Sequence, residues 1–378
     1  MNWIKRFYEH KKDELIIKNK VTIIYGPRRC GKTSLINKIL ENFEDKKIIK
    51  LTGDDFDVKN ILETQRLSVI QPVFDGYDII FLDEAQYIKN IGNSLKLIID
   101  NLEDVSVIVT GSSSFDISET LAEPLTGRHF IRILYPISCM ELKEQYGGLY
   151  LIKNLENFLI FGMYPEVLTA KNIEEKKEYL FNLRNSYLFK DILAFENIKN
   201  SDKIFSLLKL LAFQVGKEVS LTELSNNLGI AKKTVERYLD LLEKCFVIKK
   251  IKGFSKNLRS EVTKTSRYYF YDNGILNSIT SNFNLLDFRN DVGQLWENFI
   301  VMEILKKQNY KKIFANNYFW RTYQKQEIDF IQEYNGKLYG YEIKWKPKKI
   351  KPPKLWIETY PDSEFNVITK NNFIEFVC

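Results

Sequence analysis

The stretch Val21–Leu35 constrains the fold of this chain more than any other. It reads VTIIYGPRRCGKTSL, which is a short apolar run followed by the GxxxxGK[ST] pattern of a P-loop and the start of a helix. Glycines at both ends let the backbone curl, so that successive N–H groups converge on phosphate oxygens. The pattern therefore predicts a nucleotide site. The alternative is a glycine-containing strand–helix turn that binds nothing.

The residues expected to bind the nucleotide are those of the loop and the first helical turn: Gly26, Pro27, Arg28, Arg29, Cys30, Gly31, Lys32, Thr33 and Ser34. Lys32 supplies charge to the β- and γ-phosphates, and the Thr33 hydroxyl is a ligand for Mg²⁺. The helix that follows points its positive end at the same anion. We expect ATP and Mg²⁺ as cofactors, and a Lys32 side chain that faces solvent.

A second apolar strand, Asp78 to Glu84, ends in two acids. A carboxylate at such a strand end can hold Mg²⁺, so Asp83 joins Thr33 as an expected metal ligand. Its neighbour Glu84 can polarise the attacking water as a general base. The alternative is that the two acids only cap the next helix. Because a P-loop precedes them, the catalytic interpretation is favoured.

A third apolar strand begins at Val105 and ends in the small hydroxyl residues Thr110, Ser112 and Ser113. Ligands collect at the carboxyl ends of strands in a parallel sheet, so these hydroxyls should face the phosphates. Further on, Arg128 follows a turn and precedes another apolar run. It can reach a γ-phosphate, in its own chain or from a neighbouring subunit, or it can pair with an acid on the surface.

Composition limits the class of protein. The chain has 378 residues, of which 44% are hydrophobic, so two or three domains with substantial cores are expected. Its four cysteines are far apart and form no CxxC pair, which argues against a zinc site and for a reducing compartment. No apolar run is long enough to span a bilayer. We therefore expect a cytoplasmic protein without a membrane partner.

The middle of the chain has the pattern of a winged helix-turn-helix. Ser220-Leu221-Thr222-Glu223 forms a capping box, and the helix that it opens stops at Gly229. A second helix, 230–244, buries an apolar stripe and carries Lys232, Lys233 and Arg237 on its other face. Two strands follow as a wing. The basic face can enter a DNA groove, or the module can act as a spacer or a dock for a partner.

Near the carboxyl end, Asn335-Gly336 separates two alternating runs, the strongest short-range hairpin signal. Tyr334 then pairs with Lys337, so paired positions sum to 671 and Asp329 lies opposite Glu342. Glu327 likewise lies opposite Lys344, on the same face. Two facing carboxylates repel unless a cation lies between them, which suggests a metal site. The alternative is a hairpin that faces solvent with an ordinary ion pair.

Several motifs together resemble the AAA-class ATPases of archaea and bacteria. In chain order they are GPRRCGKTSL, IIFLDEAQ, VIVTGSSS and LTGR. The resemblance implies that Asp83 and Glu84 are the Walker B pair, that Ser112 or Ser113 is a sensor, and that Arg128 is a finger. The segment FGMYPEV at 161–167 is similar to the GG[FY]PE segment of that family, with Met163 in place of the second glycine. We interpret it as a turn between helices.

The end of the chain resembles the nuclease-like domain that often closes this ATPase family. Asp329, followed by Glu342-x-Lys344 on the adjacent strand, is similar to the active site of restriction-endonuclease-like proteins. The resemblance implies that Asp329, Glu342 and the helix residue Glu297 hold Mg²⁺, and that Lys344 orients the attacking water. Six lysines and no acid between Lys344 and Lys354 suggest a polyanion as a partner, or merely a solvated surface.

We therefore expect an α/β protein in four parts. They are a P-loop parallel-sheet ATPase core (1–150), a helical lid or connector (151–200), a winged helix-turn-helix (201–280) and an α/β restriction-endonuclease-like domain (281–378). The first hypothesis is an ATPase coupled to DNA cleavage. The second is an ATP-switched module that binds DNA or protein without cutting. The third is an ATPase that remodels or docks proteins. Self-association stays open.

Overall fold

A computed structural model describes residues 3–111, 123–185, 201–255, 265–322 and 324–378. These residues divide into two compact units. The first unit comprises Trp3–Pro136 with Lys244–Phe246, and the second comprises Ile137–Glu243 and Val247–Cys378. The four-part division expected from the sequence stays a prediction.

The first unit is built on a parallel sheet. In its described residues the strands are β1 (Lys20–Tyr25), β2 (Ile48–Thr52), β3 (Ile79–Asp83), β4 (Ser106–Thr110) and β5 (His129–Ile133), in the order β2-β3-β4-β1-β5. The helices between them are α1 (Lys32–Leu40), α2 (Phe56–Glu63), α3 (Leu67–Phe74) and α4 (Ile91–Asn101). Strands β1, β3 and β4 are almost wholly buried, as expected of a parallel sheet covered on both faces. The predicted parallel α/β fold is confirmed here.

This strand order gathers the sequence motifs at one edge of the sheet. Because all five strands run parallel, their carboxyl ends lie on the same side. The P-loop leaves β1, Asp83 ends β3, and Thr110 ends β4, the strand between them. The fold thus brings three separate stretches of chain to one place.

The second unit begins with helices and ends with a mixed sheet and its covering helices. Its helices are α5 (Cys139–Tyr146), α6 (Gly148–Phe161), α7 (Pro165–Thr169), α8 (Ile173–Leu183), α9 (Ser201–Phe213), α10 (Leu221–Leu228), α11 (Lys232–Lys244), α12 (Asn273–Thr280), α13 (Val292–Tyr310), α14 (Lys354–Thr359) and α15 (Phe373–Val377). The two helices expected around Gly229 are present as α10 and α11. Ser220 accepts a hydrogen bond from the Glu223 N–H, and Gly229 ends α10 in the left-handed conformation.

The sheet of the second unit joins the expected wing to the carboxyl-terminal strands. Its strands are β6 (Glu218–Val219), β7 (Ile248–Gly253), β8 (Ser266–Phe270), β9 (Asn316–Arg321), β10 (Glu327–Tyr334), β11 (Lys337–Ile343) and β12 (Glu364–Ile368), in the order β12-β11-β10-β9-β7-β8-β6. The link is the parallel pairing of β7 with β9. The two strands expected as a wing, β7 and β8, are therefore present, but they belong to this larger sheet, and the winged helix stays a prediction.

The hairpin between β10 and β11 has the predicted register near its turn, with paired residues from Tyr334–Lys337 to Phe330–Tyr341. Both turn residues have positive φ. The expected pairs Asp329–Glu342 and Glu327–Lys344 are not among the paired residues, and Glu327 contacts Arg267. On its other side β10 has a bulge against β9, between Ile328 and Ile331. The bulge breaks the strict alternation that the sequence suggested, so Ile328 and Ile331 both pack in one core cluster with Phe254, Trp320 and Trp356.

The segment FGMYPEV forms the predicted turn between helices α6 and α7. Gly162 has φ 75°, and an added Cβ would lie 2.0 Å from Asp272 Oδ1. The Asp272 carboxylate accepts a hydrogen bond of 2.7 Å from the Met163 N–H and others from the start of α12. This segment is thus fixed inside the second unit by a buried acid. No described helix is long and apolar enough to cross a membrane.

Candidate functional site

Lys32 lies inside the P-loop rather than in solvent. Its side chain is buried, with 7% of the residue exposed, so the expected solvent-facing position is wrong. Its Nζ donates to the carbonyl oxygens of Gly26 and Pro27, each at 2.9 Å. Gly31 directly precedes α1 and has φ 94°, a backbone conformation that favours glycine at this turn from the loop into the helix. The ammonium group is therefore held at the centre of the curl that the sequence predicts.

The two expected magnesium ligands meet at the edge of the sheet. Thr33 Oγ1 donates a hydrogen bond of 2.8 Å to Asp83 Oδ2. The other carboxylate oxygen of Asp83 accepts from the hydroxyl of Thr110, at the end of β4. A hydroxyl and a carboxylate oxygen side by side are ligands that Mg²⁺ prefers. The site as folded therefore fits a magnesium ion.

Glu84 lies next to this pair in a strained conformation. Its φ is 51°, and its side chain makes no cap contact with the short helix Ala85–Tyr87. The helix-cap alternative is therefore not what the structure shows. The Glu84 carboxylate accepts a hydrogen bond from Gln86, and its N–H donates to Thr110 Oγ1 at 3.3 Å. This φ lies in the left-handed region, which non-glycine residues adopt infrequently.

Gly26 is required by the packing of the loop. It has φ 147°, and an added Cβ would lie 1.9 Å from the carbonyl oxygen of Leu134. The Sγ of buried Cys30 contacts the same oxygen at 3.2 Å. The buried Arg6 supports the loop from the other side, since its guanidinium donates to the carbonyl oxygens of Cys30 and Tyr135. The loop is thus held in place by contacts with backbone carbonyl oxygens.

Arg128 lies at the opposite edge of the sheet from the P-loop. The next residue, His129, pairs with Val21 at the start of β1, whereas the P-loop follows Tyr25 at the end of that strand. Four strand residues span about 13 Å. Arg128 Nε pairs instead with Asp100 Oδ1 at 2.6 Å on the surface. The structure therefore does not bring Arg128 to the nucleotide of its own chain, and a role on a neighbouring subunit stays a prediction.

The expected sensor residues lie outside the described part of the chain. Ser112 and Ser113 fall between residues 111 and 123. Of the polar residues predicted at the end of β4, Thr110 is the one that the structure places, and it contacts Asp83. Arg28, Arg29 and Ser34 lie in the loop and the first turn of α1, as expected.

The second predicted site is a cluster of charges in the second unit, which we call the carboxylate cluster. It comprises the acids Glu297, Glu327, Asp329 and Glu342 and the cations Arg267 and Lys344. Lys344 Nζ lies 3.0 Å from Asp329 Oδ2 and 2.8 Å from Glu342 Oε1. The hairpin therefore does bring Asp329, Glu342 and Lys344 together.

Arg267 fills the other side of the carboxylate cluster. Its side chain is 4% exposed and reaches three acids, with Nη1 3.7 Å from Glu297 and 3.9 Å from Asp329, and Nη2 3.2 Å from Glu327. Tyr269, two residues along the same strand β8, donates its hydroxyl to Glu297 Oε1 at 2.8 Å. Strand β8 thus contributes a cation and a hydroxyl to a site that we expected from the carboxyl-terminal strands and α13 alone.

Two acids of the carboxylate cluster, Glu297 and Glu342, have a raised pKa. Burial and the neighbouring Asp329 raise the pKa of Glu297 to about 8. Burial and Asp329 also raise the pKa of Glu342. For Lys344, burial lowers the pKa, but Asp329 and Glu342 outweigh it and hold it above its usual value. The cluster is therefore a coupled network in which Lys344 stays charged.

The donor set of the carboxylate cluster does not fit a divalent metal as folded. Across the described residues, no group of three or more His, Cys, Asp or Glu side chains could hold a metal ion. Two cations, Arg267 and Lys344, lie in the gap among the acids. The metal role expected of Glu297, Asp329 and Glu342 is thus not supported by their arrangement, because their repulsion is already balanced.

Sequence reasoning missed Arg267, Tyr269 and the contact of Thr110 with Asp83. One signal was present, since Arg267 interrupts an apolar strand, SRYYF, and a buried guanidinium needs acidic partners. Which acids it meets depends on the pairing of β7 with β9, for which the sequence carries no local signal.

Three parts of the chain match known domain families. Residues 18–143 match the family model of the AAA domain. The expected AAA-class P-loop part of the chain is confirmed by this match. Residues 152–286 and 292–371 match two domains of unknown function, DUF8612 and DUF4143. Neither match names an activity, and neither confirms a winged helix or a nuclease-like domain.

The similar curated proteins are themselves uncharacterized. One, from Methanocaldococcus jannaschii, is 27% identical over 96% of this chain and 88% of its own length. Another, from Mycobacterium tuberculosis, is 24% identical over 86% of this chain and 70% of its own length. Among solved structures, RuvB R170A of Thermotoga maritima has 16% identity and a TM-score of 0.33, over 65% of this chain and 89% of that one.

Proposed function

We propose that this chain binds ATP with Mg²⁺ and hydrolyses it. The contact of 2.8 Å between Thr33 Oγ1 and Asp83 Oδ2 carries the proposal, because it joins two motifs that lie far apart in the sequence. The AAA-domain match over the same residues supports it. The Lys32 ammonium and the loop N–H groups bind the phosphates. Thr33 and Asp83 hold Mg²⁺, which neutralises phosphate charge when bound.

Glu84 is the proposed general base. It follows Asp83 directly, at the carboxyl edge of the sheet where the phosphates would lie. Its hydrogen bond from Gln86 orients the carboxylate. It would accept the proton of the attacking water as the water adds to the γ-phosphate.

The first test is Lys32→Ala. Loss of a buried ammonium that contacts phosphate should weaken ATP binding about tenfold or more. Calorimetric titration of ATP into the purified chain measures this affinity. The matched control is Lys38→Ala, on the exposed face of the same helix, which should bind as the wild type does. Equal ATP affinity in the Lys32 variant and the wild type would remove the P-loop from the proposal.

We further propose that the second unit is a binding module rather than a nuclease. Arg267 and Lys344 lie among the carboxylates and balance their charge, so the acids do not need a metal ion to offset their repulsion. Lys346, Lys348, Lys349 and Lys351 are all exposed, so DNA or another polyanion is the partner that their charge fits. A protein partner or a second copy of the chain are further proposals.

The second test separates binding from cutting. Supercoiled DNA with Mg²⁺ or Mn²⁺ should stay uncut, with and without ATP, in both the wild type and Asp329→Ala. Cleavage by the wild type that is lost in this variant would restore the nuclease hypothesis. Binding of duplex DNA should weaken with salt, and changing the four exposed lysines to glutamine should flatten that dependence by about 0.9 per lost phosphate contact.

A further inference from the structure

Thr110 contacts both acids of the nucleotide site. It ends β4, where it is fully buried. Its hydroxyl donates to Asp83 Oδ1, and the same hydroxyl oxygen accepts a hydrogen bond of 3.3 Å from the Glu84 N–H. A hydroxyl has one hydrogen to donate, so the hydrogen of Thr110 is committed to Asp83. Thr110 has no part in the ATP chemistry proposed above.

The two oxygens of the Asp83 carboxylate face different elements. Oδ2 accepts a hydrogen bond of 2.8 Å from Thr33 on α1, the other expected Mg²⁺ ligand. Oδ1 accepts from the buried Thr110 on β4. The carboxylate therefore cannot turn both oxygens towards one ion beside Thr33 unless its hydrogen bond to Thr110 breaks.

The backbone around Asp83 is fixed as well. The Gly53 N–H, just beyond the end of β2, donates to the Asp83 carbonyl oxygen at 2.7 Å. An added Cβ at Gly53 would lie 2.3 Å from the Glu84 carbonyl oxygen, so the two stretches of backbone are in close contact. On the other side, Leu82 pairs with Val109 of β4. The side chain of Asp83 is thus the part that a change at Thr110 would release.

The freedom of this carboxylate affects which cation the site accepts. Mg²⁺ demands near-ideal octahedral geometry and is usually bound by one or two carboxylates together with phosphates. Ca²⁺ takes up to about eight oxygens in flexible geometry, and one carboxylate can give it both oxygens. A carboxylate that offers a single oxygen from a fixed position therefore suits Mg²⁺ better than Ca²⁺.

We propose that Thr110 is a positioning residue that makes the nucleotide site select Mg²⁺ over Ca²⁺, an inference that rests on the ATP-binding function proposed above. By holding Oδ1, Thr110 leaves Oδ2 as the single carboxylate oxygen of Asp83 that an ion beside Thr33 can use. Without the hydroxyl, the carboxylate can turn and offer both oxygens, which favours Ca²⁺.

The test compares how tightly the full chain binds adenylyl imidodiphosphate, a non-hydrolysable ATP analogue, in excess Mg²⁺ and in excess Ca²⁺. Calorimetric titration gives both affinities without turnover, and the Mg²⁺/Ca²⁺ ratio of the two affinities measures the selectivity. The wild type should bind more tightly with Mg²⁺. Thr110→Ala should lower the ratio about tenfold, the effect of one hydrogen bond to a charged group.

Further variants separate the hydroxyl of Thr110 from general effects on folding. Thr110→Ser keeps the hydroxyl and should keep the wild-type ratio. Thr22→Ala is the matched control, because Thr22 is equally buried on the neighbouring strand β1 and its hydroxyl has no hydrogen-bond partner among the described residues. It should also keep the ratio. Thr110→Val removes the hydroxyl but retains the volume of the side chain, and it replaces the alanine variant if that variant does not fold.

An unchanged ratio in Thr110→Ala would overturn the role of Thr110 and leave the ATP-binding function standing. A wild type that binds the analogue equally well with either ion would do the same, and so would a ratio in Thr110→Ser that falls as far as in Thr110→Ala. If the wild type binds the analogue with neither ion, the ATP-binding function itself is wrong and the inference falls with it.

Discussion

At the scale of single residues, Asp83 organises the nucleotide site. Its two oxygens accept from hydroxyls on two other elements, Thr33 on α1 and Thr110 on β4. Its backbone carbonyl also accepts from the Gly53 N–H at 2.7 Å. The neighbouring Glu84 makes fewer contacts, so its carboxylate is the one left to act on water. Asp83 is therefore the expected metal ligand, and Glu84 is the expected general base.

Glu84→Gln should keep ATP binding but lower the hydrolysis rate about 10²–10⁴-fold, the usual contribution of a general base. Glutamine preserves the size of the side chain and its hydrogen bonds but cannot accept the proton. Phosphate release under saturating ATP measures the rate. Asp54→Asn, an exposed acid in the loop after β2, is the matched control and should hydrolyse ATP normally. A variant that turns over ATP like the wild type would make Glu84 structural.

At the scale of elements, the strand–loop–helix unit depends on close backbone approach. Gly26→Ala should destabilise the first unit by about 3 kcal/mol or more, at or beyond the usual range of overpacking. The reason is the distance of 1.9 Å from an added Cβ to the Leu134 carbonyl oxygen, which side-chain rotation cannot relieve. Chemical denaturation measures the loss. Gly293→Ala is the matched control.

An added Cβ at Gly293 meets nothing within 4 Å, and the residue lies in the first turn of α13. Alanine is a better helix former, so this variant should gain up to about 1 kcal/mol. Equal stabilities of the Gly26 and Gly293 variants would mean that the P-loop moves freely away from Leu134, contrary to the contacts described.

Local signals in the sequence were enough to predict several elements. The P-loop, the Asn335-Gly336 hairpin and the helix stop at Gly229 are each set by residues close in sequence, and each lies where predicted. Lys32 is buried by carbonyl oxygens of its own loop, and the bulge in β10 lies against the preceding strand β9, so both are local features that the alternation and motif patterns do not describe. The position of Arg267, in contrast, depends on the pairing of β7 with β9, two strands that are distant in sequence. No local pattern encodes such a pairing, so the sequence predicted Asp329, Glu342 and Lys344 together but did not predict Arg267 beside them.

At the scale of the whole molecule, buried acids tie stability to pH. The pKa of Glu297 rises from 4.5 to about 8 on folding, because burial and Asp329 disfavour its charged form. The folded protein therefore keeps this proton to a higher pH than the unfolded chain does. Its contribution to stability is fully present below the unfolded value and is lost as pH rises towards 8.

Glu297→Gln should flatten this part of the pH dependence. The free energy of unfolding of the wild type should fall as pH rises from about 4.5 to about 8. The variant cannot ionise at this position, so its decline should be smaller. Urea denaturation across the window measures both proteins, with Glu174→Gln as the control. Parallel curves for the Glu297 variant and the wild type would contradict the raised pKa.

Strand β8 should tolerate insertions poorly, because its two faces meet different surroundings. Arg267 and Tyr269 face the carboxylate cluster. Ser266 and Tyr268, which alternate with them, line a pocket between α11 and strands β7 and β8. One residue added within the strand would exchange the two sets. A buried guanidinium would then face the pocket and a serine would face the acids, so the carboxylate cluster and the lining of the pocket would be disrupted together. Among natural variants of this chain, length differences should therefore spare β8.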